Sequence, residues 1–162
     1  MPDLAALGRR AGELLKERKE TVAVAESSAA GLISAALLAQ PGASAYFQGG
    51  CVVYTYASRT ILLGVPAEGF KDIRPSTEEY ARRLARHARE RLQTTWAVGE
   101  TGAAGPSGNR YGDPAGHSCI AVAGPAEKSL TVETRSAGRE ANMWAFARAA
   151  LELLEAALKE KA

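Results

Sequence analysis

Residues 22–40 read VAVAESSAAGLISAALLAQ: an apolar run, Val22–Ala25, broken by Glu26, Ser27 and Ser28, then apolar spacing of a different period. Alternating β-branched residues followed by a 3.6-residue repeat predict a strand over 21–25 feeding a helix over 29–39. A strand that hands directly to a helix is the unit of a parallel sheet, so this stretch points to an α/β fold. The polar break admits two readings. Ser27 or Ser28 could cap the helix by accepting from amides its first turn leaves unpaired. Alternatively the break is a site, because strand ends that face helix N-termini collect ligands in such folds.

The rest of the chain extends the pattern. Leu4, Leu7, Ala11, Leu14 and Leu15 recur at helical spacing and predict a first helix over 3–18. QPGAS, 40–44, is a turn, and CVVYTY, 51–56, is rich enough in β-formers to predict a strand in the sheet interior. A short helix over 57–63 ends at Gly64. A longer one over 77–92 is expected to be capped by Ser76, with Glu79 completing a capping box. Strands over 95–99, 117–123 and 130–134 and a closing helix from about Arg139 complete the order α-β-α-β-α-α-β-β-β-α. The expected fold is one domain over 1–162, a layered α/β sandwich whose helices cover a mixed, largely parallel sheet.

Composition excludes several classes. The 162 residues are 46% hydrophobic and 23% charged, ordinary for a globular chain long enough to bury a core. A net charge of +2 is too balanced to imply a nucleic-acid partner or a membrane surface. The arginine-rich face of the 77–92 helix is diluted by Glu78, Glu79 and Glu90 and has no interleaved aromatics, so it reads as solvated. No apolar run reaches the roughly 20 residues of a spanning helix, and the charged N-terminus is no signal peptide, so a cytoplasmic home is expected. Cys51 and Cys119 lie in apolar runs without metal or redox spacing and read as structural thiols. No metal and no cofactor is expected. The closing helix carries Trp144, Phe146, Leu151, Leu153 and Leu154, more apolar surface than one stripe, and this predicts a homo-oligomer.

The least ordinary segment is ETGAAGPSGNRYGDPAG, 100–116, with five glycines and two prolines directly after a strand. Its amides could approach a ligand closely or cradle an anion, although it fits no established phosphate-loop pattern. Ser27 and Thr101 each follow a predicted strand, and Tyr54 and Tyr56 lie near the end of another. In a sheet parallel at that point, all would share one rim.

Taken in order, these segments resemble the C-terminal domain of the CinA competence/damage-inducible family, whose members include nicotinamide-mononucleotide deamidases. AESSAAG (25–31) stands for the family's AESCTGG, PGASAYF and VVYTYASRTILLGV for its PGSS turn and VTYSNEAK…LLGV run, and TGAAGPSG (101–108) for TGIAGPGG. GHSCIAVAGP stands for GTVYIAVAGP, and SAGRE for the stretch ending GDRE. The resemblance implies hydrolysis of the carboxamide of a small pyridine nucleotide by a serine nucleophile. It places Ser27, Tyr54 and Thr101 among the catalytic residues, with Ser44, Arg139 and the loop glycines Gly102 and Gly105 on the substrate. The family lysine is Arg59 here. A lysine can lose its proton and serve as base, whereas a guanidinium with a pKa above about 12 cannot, so Arg59 could only clamp an anion. His117 is the candidate to stand in as base, with Glu26 the other. The alternative is a catalytically silent nucleotide-binding or interaction module of the same fold.

Overall fold

The computed structural model describes residues 2–160. Five strands form one sheet: β1 (Val22–Glu26), β2 (Phe47–Val52), β3 (Trp96–Ala103), β4 (His117–Ala123) and β5 (Lys128–Glu133), in the order β2-β1-β3-β4-β5. β1 pairs parallel with β2 and β3, and β4 runs antiparallel to both its neighbours, so four of the five strands point the same way. This is the mixed, largely parallel sheet expected. Helices α1 (Pro2–Arg18), α2 (Leu32–Leu38), α3 (Tyr56–Leu63), α4 (Glu78–Leu92) and α5 (Arg139–Glu160) cover it. Among the described residues no helix is long and apolar enough to cross a membrane.

Strand alternation sorts the core into two layers. Val22, Val24, Trp96 and Val98 join Ile33, Leu37, Phe146 and Leu154 under α1, α2 and α5. The opposite-facing Ala23, Ala25 and Ala97 join Leu84, Ala85 and Phe70 under α4. The small residues on this second face let α4 lie close: a Cβ on Gly99 would sit 2.2 Å from the Ala81 carbonyl oxygen. The connection after β1 packs on one face and that after β2 on the other, which leaves a crevice at the carboxyl ends of these strands.

Several expectations need correction. β2 occupies 47–52 rather than 51–56 and is an edge strand, with burial alternating along it. Its Gly50 packs beneath Ser34, where a Cβ would lie 2.2 Å from the hydroxyl, so the glycines of QGG belong to the sheet. Helix α4 is capped by Thr77, which accepts from the Tyr80 amide, and not by Ser76, whose φ is +61°. β3 runs on to Ala103, placing Thr101 inside a strand and shortening the glycine-rich loop to 104–116. α5 begins at Arg139 as expected. Its Phe146, Leu151, Leu153 and Leu154 are buried in the core, with Trp144 partly buried against it, so core packing accounts for most of its apolar breadth. Two arginines of α4 are ion-paired across elements, Arg83 with Asp72 at 2.7 Å and Arg86 with Glu127 at 2.9 Å, and Arg89 donates to the Thr95 carbonyl.

Candidate functional site

The opening stretch resolves in favour of neither serine as cap. Helix α2 starts only after Ala30 (φ 53°) and Gly31 (φ 95°), two successive left-handed residues, and no side chain at the N-cap position bonds to it. Its first turn is capped from the strand end. The fully buried Glu26 carboxylate accepts from the amides of Gly31 (2.8 Å), Ile33 (3.1 Å) and Ser34 (2.9 Å) and from the Ser34 hydroxyl (2.7 Å). Burial pushes the Glu26 pKa up, against those donors. With both oxygens engaged, Glu26 is no free base.

A second buried carboxylate, Glu100 of β3, holds the preceding turn. It accepts from the amides of Ser27 and Ala29, each at 2.9 Å, from the Ser118 hydroxyl at 2.8 Å and from the Ser28 hydroxyl. Ser28 is therefore structural. Ser27 has its backbone fixed while its hydroxyl has no hydrogen bond among the described residues, and it stands half-buried at the wall of a cleft of about 500 Å³.

Tyr54, Thr101 and Gly102 line the same cleft, joined by Tyr56, Tyr80, Arg110 and Tyr111. The Thr101 hydroxyl oxygen accepts from the Ser76 amide at 3.1 Å and keeps its own proton for another acceptor. Arg139 lies beside the cleft, donating to the Gly105 carbonyl and to the Tyr54 hydroxyl (3.3 Å). Gly102 belongs to β3, where a Cβ would meet the His117 carbonyl oxygen at 2.5 Å. Close strand pairing, not an anion cradle, requires that glycine.

Three expected members lie elsewhere. Ser44 is exposed in the 3-10 turn Ala43–Ala45 before β2, and since Phe47 pairs with Val22 it sits at the opposite rim from Tyr54. Arg59 is buried behind the cleft. Its Nη1 donates to the Tyr80 hydroxyl at 2.6 Å, and its guanidinium lies 4.2 Å from the Phe70 ring centroid and 5.2 Å from that of Tyr56.

His117 is buried with both ring nitrogens engaged, Nδ1 by the Glu133 carboxylate and Nε2 by the Ser76 carbonyl at 2.9 Å. A carbonyl only accepts, so Nε2 carries a proton. Burial lowers the His117 pKa, but Glu133, Ser76 and Asp113 together carry it above its ordinary value. An imidazolium so bound cannot serve as a base. Its proton is held more tightly folded than unfolded, so the stabilisation is complete below the ordinary histidine pKa of about 6.5 and is lost as pH rises through the raised value. Thermal midpoints taken from about pH 6 to pH 9 should fall more steeply for the native chain than for His117→Gln. Parallel curves would remove this role.

The phenols that were not singled out as reactive form the cleft's most polarised group. Tyr56 and Tyr111 meet at 2.6 Å between hydroxyl oxygens, and Arg110 donates to both, at 2.6 and 3.1 Å. The Tyr111 hydroxyl and the Arg110 guanidinium hold the Tyr56 phenol below its ordinary range, whereas burial pushes Tyr80 and Tyr111 up. Burial also raises both cysteines; their thiols contact the carbonyls of Val24 and Ser76. Among the described residues no group of three His, Cys, Asp or Glu is placed to hold a metal ion.

Comparison with known proteins covers nearly the whole chain. The model of the CinA C-terminal domain matches residues 4–158. A CinA-like protein of Prochlorococcus marinus (strain MIT 9313) is 41% identical over 113 residues, 70% of this chain and 26% of that protein. One from Anaeromyxobacter sp. (strain K) is 39% identical over 145 residues, 90% of this chain and 36% of its own length. The chain thus spans about a quarter to a third of such relatives. The competence/damage inducible protein CihA from Agrobacterium tumefaciens superposes with a TM-score of 0.87 at 31% identity, over 97% of this chain and 96% of the other. A CinA superfamily protein from Klebsiella pneumoniae 700603 does so at 0.89 and 24% identity, over 97% and 98%, a likeness of fold.

Proposed function

Because the chain belongs to the CinA C-terminal domain family, we propose that its rim cleft binds a pyridine nucleotide and hydrolyses the carboxamide of nicotinamide mononucleotide to the acid and ammonia. The observation that carries this reading is the unpartnered Ser27 hydroxyl, on a backbone fixed by a buried carboxylate, in one cleft with Tyr54, Thr101 and Tyr56.

Ser27 Oγ attacks the carboxamide carbon. The Thr101 hydroxyl donates to the developing oxyanion. Arg139, held by Gly105 and Tyr54, meets the ribose phosphate. The Ser27 proton passes to the phenolate form of Tyr56 and then to the departing nitrogen, which leaves as ammonia, and water hydrolyses the resulting ester. Tyr56 is the lining tyrosine pulled toward the acid range. Because the phenolate is the active form, turnover climbs as pH rises through the Tyr56 pKa. The lysine change fits this assignment: Arg59 takes no proton but adds positive charge beside Tyr56.

A second reading, a silent nucleotide-binding module, is favoured by one observation: no group in the cleft other than a phenol can accept the Ser27 proton. Calorimetric titration with nicotinamide mononucleotide examines the binding that both readings require. We expect saturable one-site binding, weakened about tenfold or more in Arg139→Ala by loss of a charge-assisted phosphate contact. No heat at millimolar ligand would exclude both. We also propose a second copy of the chain as partner. Support for it moves from α5 to the edge strand β2, beside which Val52, Ile61 and Leu62 are exposed; a single-chain mass at micromolar concentration would remove it.

A further inference from the structure

Ser76 connects His117 to the cleft. It lines the cleft wall, is buried, and has a φ of +61°, a left-handed conformation that most residues with a side chain enter at a cost. Its two backbone polar groups are both taken by the sheet. The amide donates to the Thr101 hydroxyl oxygen at 3.1 Å, and the carbonyl accepts from His117 Nε2 at 2.9 Å. Thr101 and His117 stand on adjacent strands, β3 and β4, where Thr101 pairs with Cys119 and Ala103 with His117.

The turn that carries Ser76 is closed by the Thr77 hydroxyl, which donates to the Arg74 carbonyl at 2.9 Å. That closure shapes the turn without holding it on β4. The bond from His117 does so, with a longer thiol contact from Cys119, 3.5 Å, beside it. His117 is itself held from behind by Glu133 of β5. At the far end of this chain of contacts, Thr101 has one proton and two lone pairs. The Ser76 amide occupies a lone pair, so the proton must point in another direction. An oxyanion donor has its full worth only when it is aimed before the charge develops.

Resting on the function proposed above, we infer that His117 is a positioning residue: it fixes the Ser76 peptide against the sheet, and the Ser76 amide orients the Thr101 hydroxyl as donor to the oxyanion. His117 touches neither substrate nor reacting atoms. Its effect belongs to the step in which negative charge develops, and ground-state binding does not depend on it.

Ammonia release from nicotinamide mononucleotide by the native chain, His117→Val, Thr101→Val and the double variant tests this. Valine suits a strand and cannot donate. Thr101→Val should lower kcat about a hundredfold or more, the usual worth of one oxyanion donor. His117→Val should lower kcat about tenfold, a part of that worth, with KM unchanged. In the Thr101→Val background the His117 substitution should cost nothing further, because the hydroxyl it orients is gone. His117→Gln, whose amide nitrogen can donate to the same carbonyl, should restore most of the loss. If His117→Val does not fold, His117→Asn, polar but too short to reach that carbonyl, takes its place in the cycle. Losses that multiply in the double variant, a loss that falls on KM, or a native rate without the His117 donor would overturn the inference alone. A native chain that releases no ammonia would overturn it together with the reading on which it rests.

Discussion

Glu100→Ala is expected to lose about 3–5 kcal/mol of stability, a large effect for one side chain. The carboxylate is fully buried and accepts from four donors that come from two segments far apart in sequence, the Ser27–Ala29 turn and Ser118 of β4. Each donor left unpaired in the interior costs about 1–3 kcal/mol, less where the turn can relax toward water. Glu100→Gln preserves volume but presents an amide nitrogen to one donor pair, so about 1–2 kcal/mol should go. Denaturant midpoints at constant slope measure both. Because Glu100 fixes the Ser27 backbone, each variant should also weaken nucleotide binding. An alanine variant within about 1 kcal/mol of the native chain would show that water replaces the carboxylate freely.

Tyr56→Phe is expected to lower turnover of nicotinamide mononucleotide by about a hundredfold or more, the usual worth of a positioned base. Phenylalanine keeps the ring beneath Arg59 and Arg110, so affinity should change little. The pH profile separates proton transfer from packing. In the native chain the rate should rise with pH as the Tyr56 phenol ionises, from a pKa held below the ordinary tyrosine value by Tyr111 and Arg110. In Tyr56→Phe that rising limb should vanish. If the variant keeps both rate and limb, another group takes the Ser27 proton.

Local patterns made most of the architecture legible. The helical repeat of Leu4, Leu7 and Leu15 and the onset of α5 at Arg139 follow from the sequence, and so does β4, an apolar run bounded by a glycine at each side. Part of the shared rim was also readable, because Ser27 and Tyr54 follow two parallel strands and Thr101 lies near the end of a third. What escaped depends on partners distant in sequence. The strand expected over 51–56 begins at Phe47 instead, because Gly49 and Gly50 form part of it and leave room for Ser34 to pack over Gly50. Neither serine caps α2, because Glu26 reaches forward from the strand and Glu100 reaches across from β3. His117 looked like a base until Glu133 and Ser76 occupied both ring nitrogens. Ser44 matches its motif but stands at the other end of β2. The breadth of apolar residues on α5 signals a helix wedged among α1, α2 and the sheet, not an open face.

The most direct measurement is ammonia release from nicotinamide mononucleotide by the native chain and by Ser27→Ala, followed from about pH 7 to pH 10, a window that reaches the ordinary tyrosine pKa. The account predicts release that accelerates with pH in the native chain and none above background in Ser27→Ala, which still binds the nucleotide. Equal release by both proteins, or none from the native chain at any pH while it binds ligand, would contradict it.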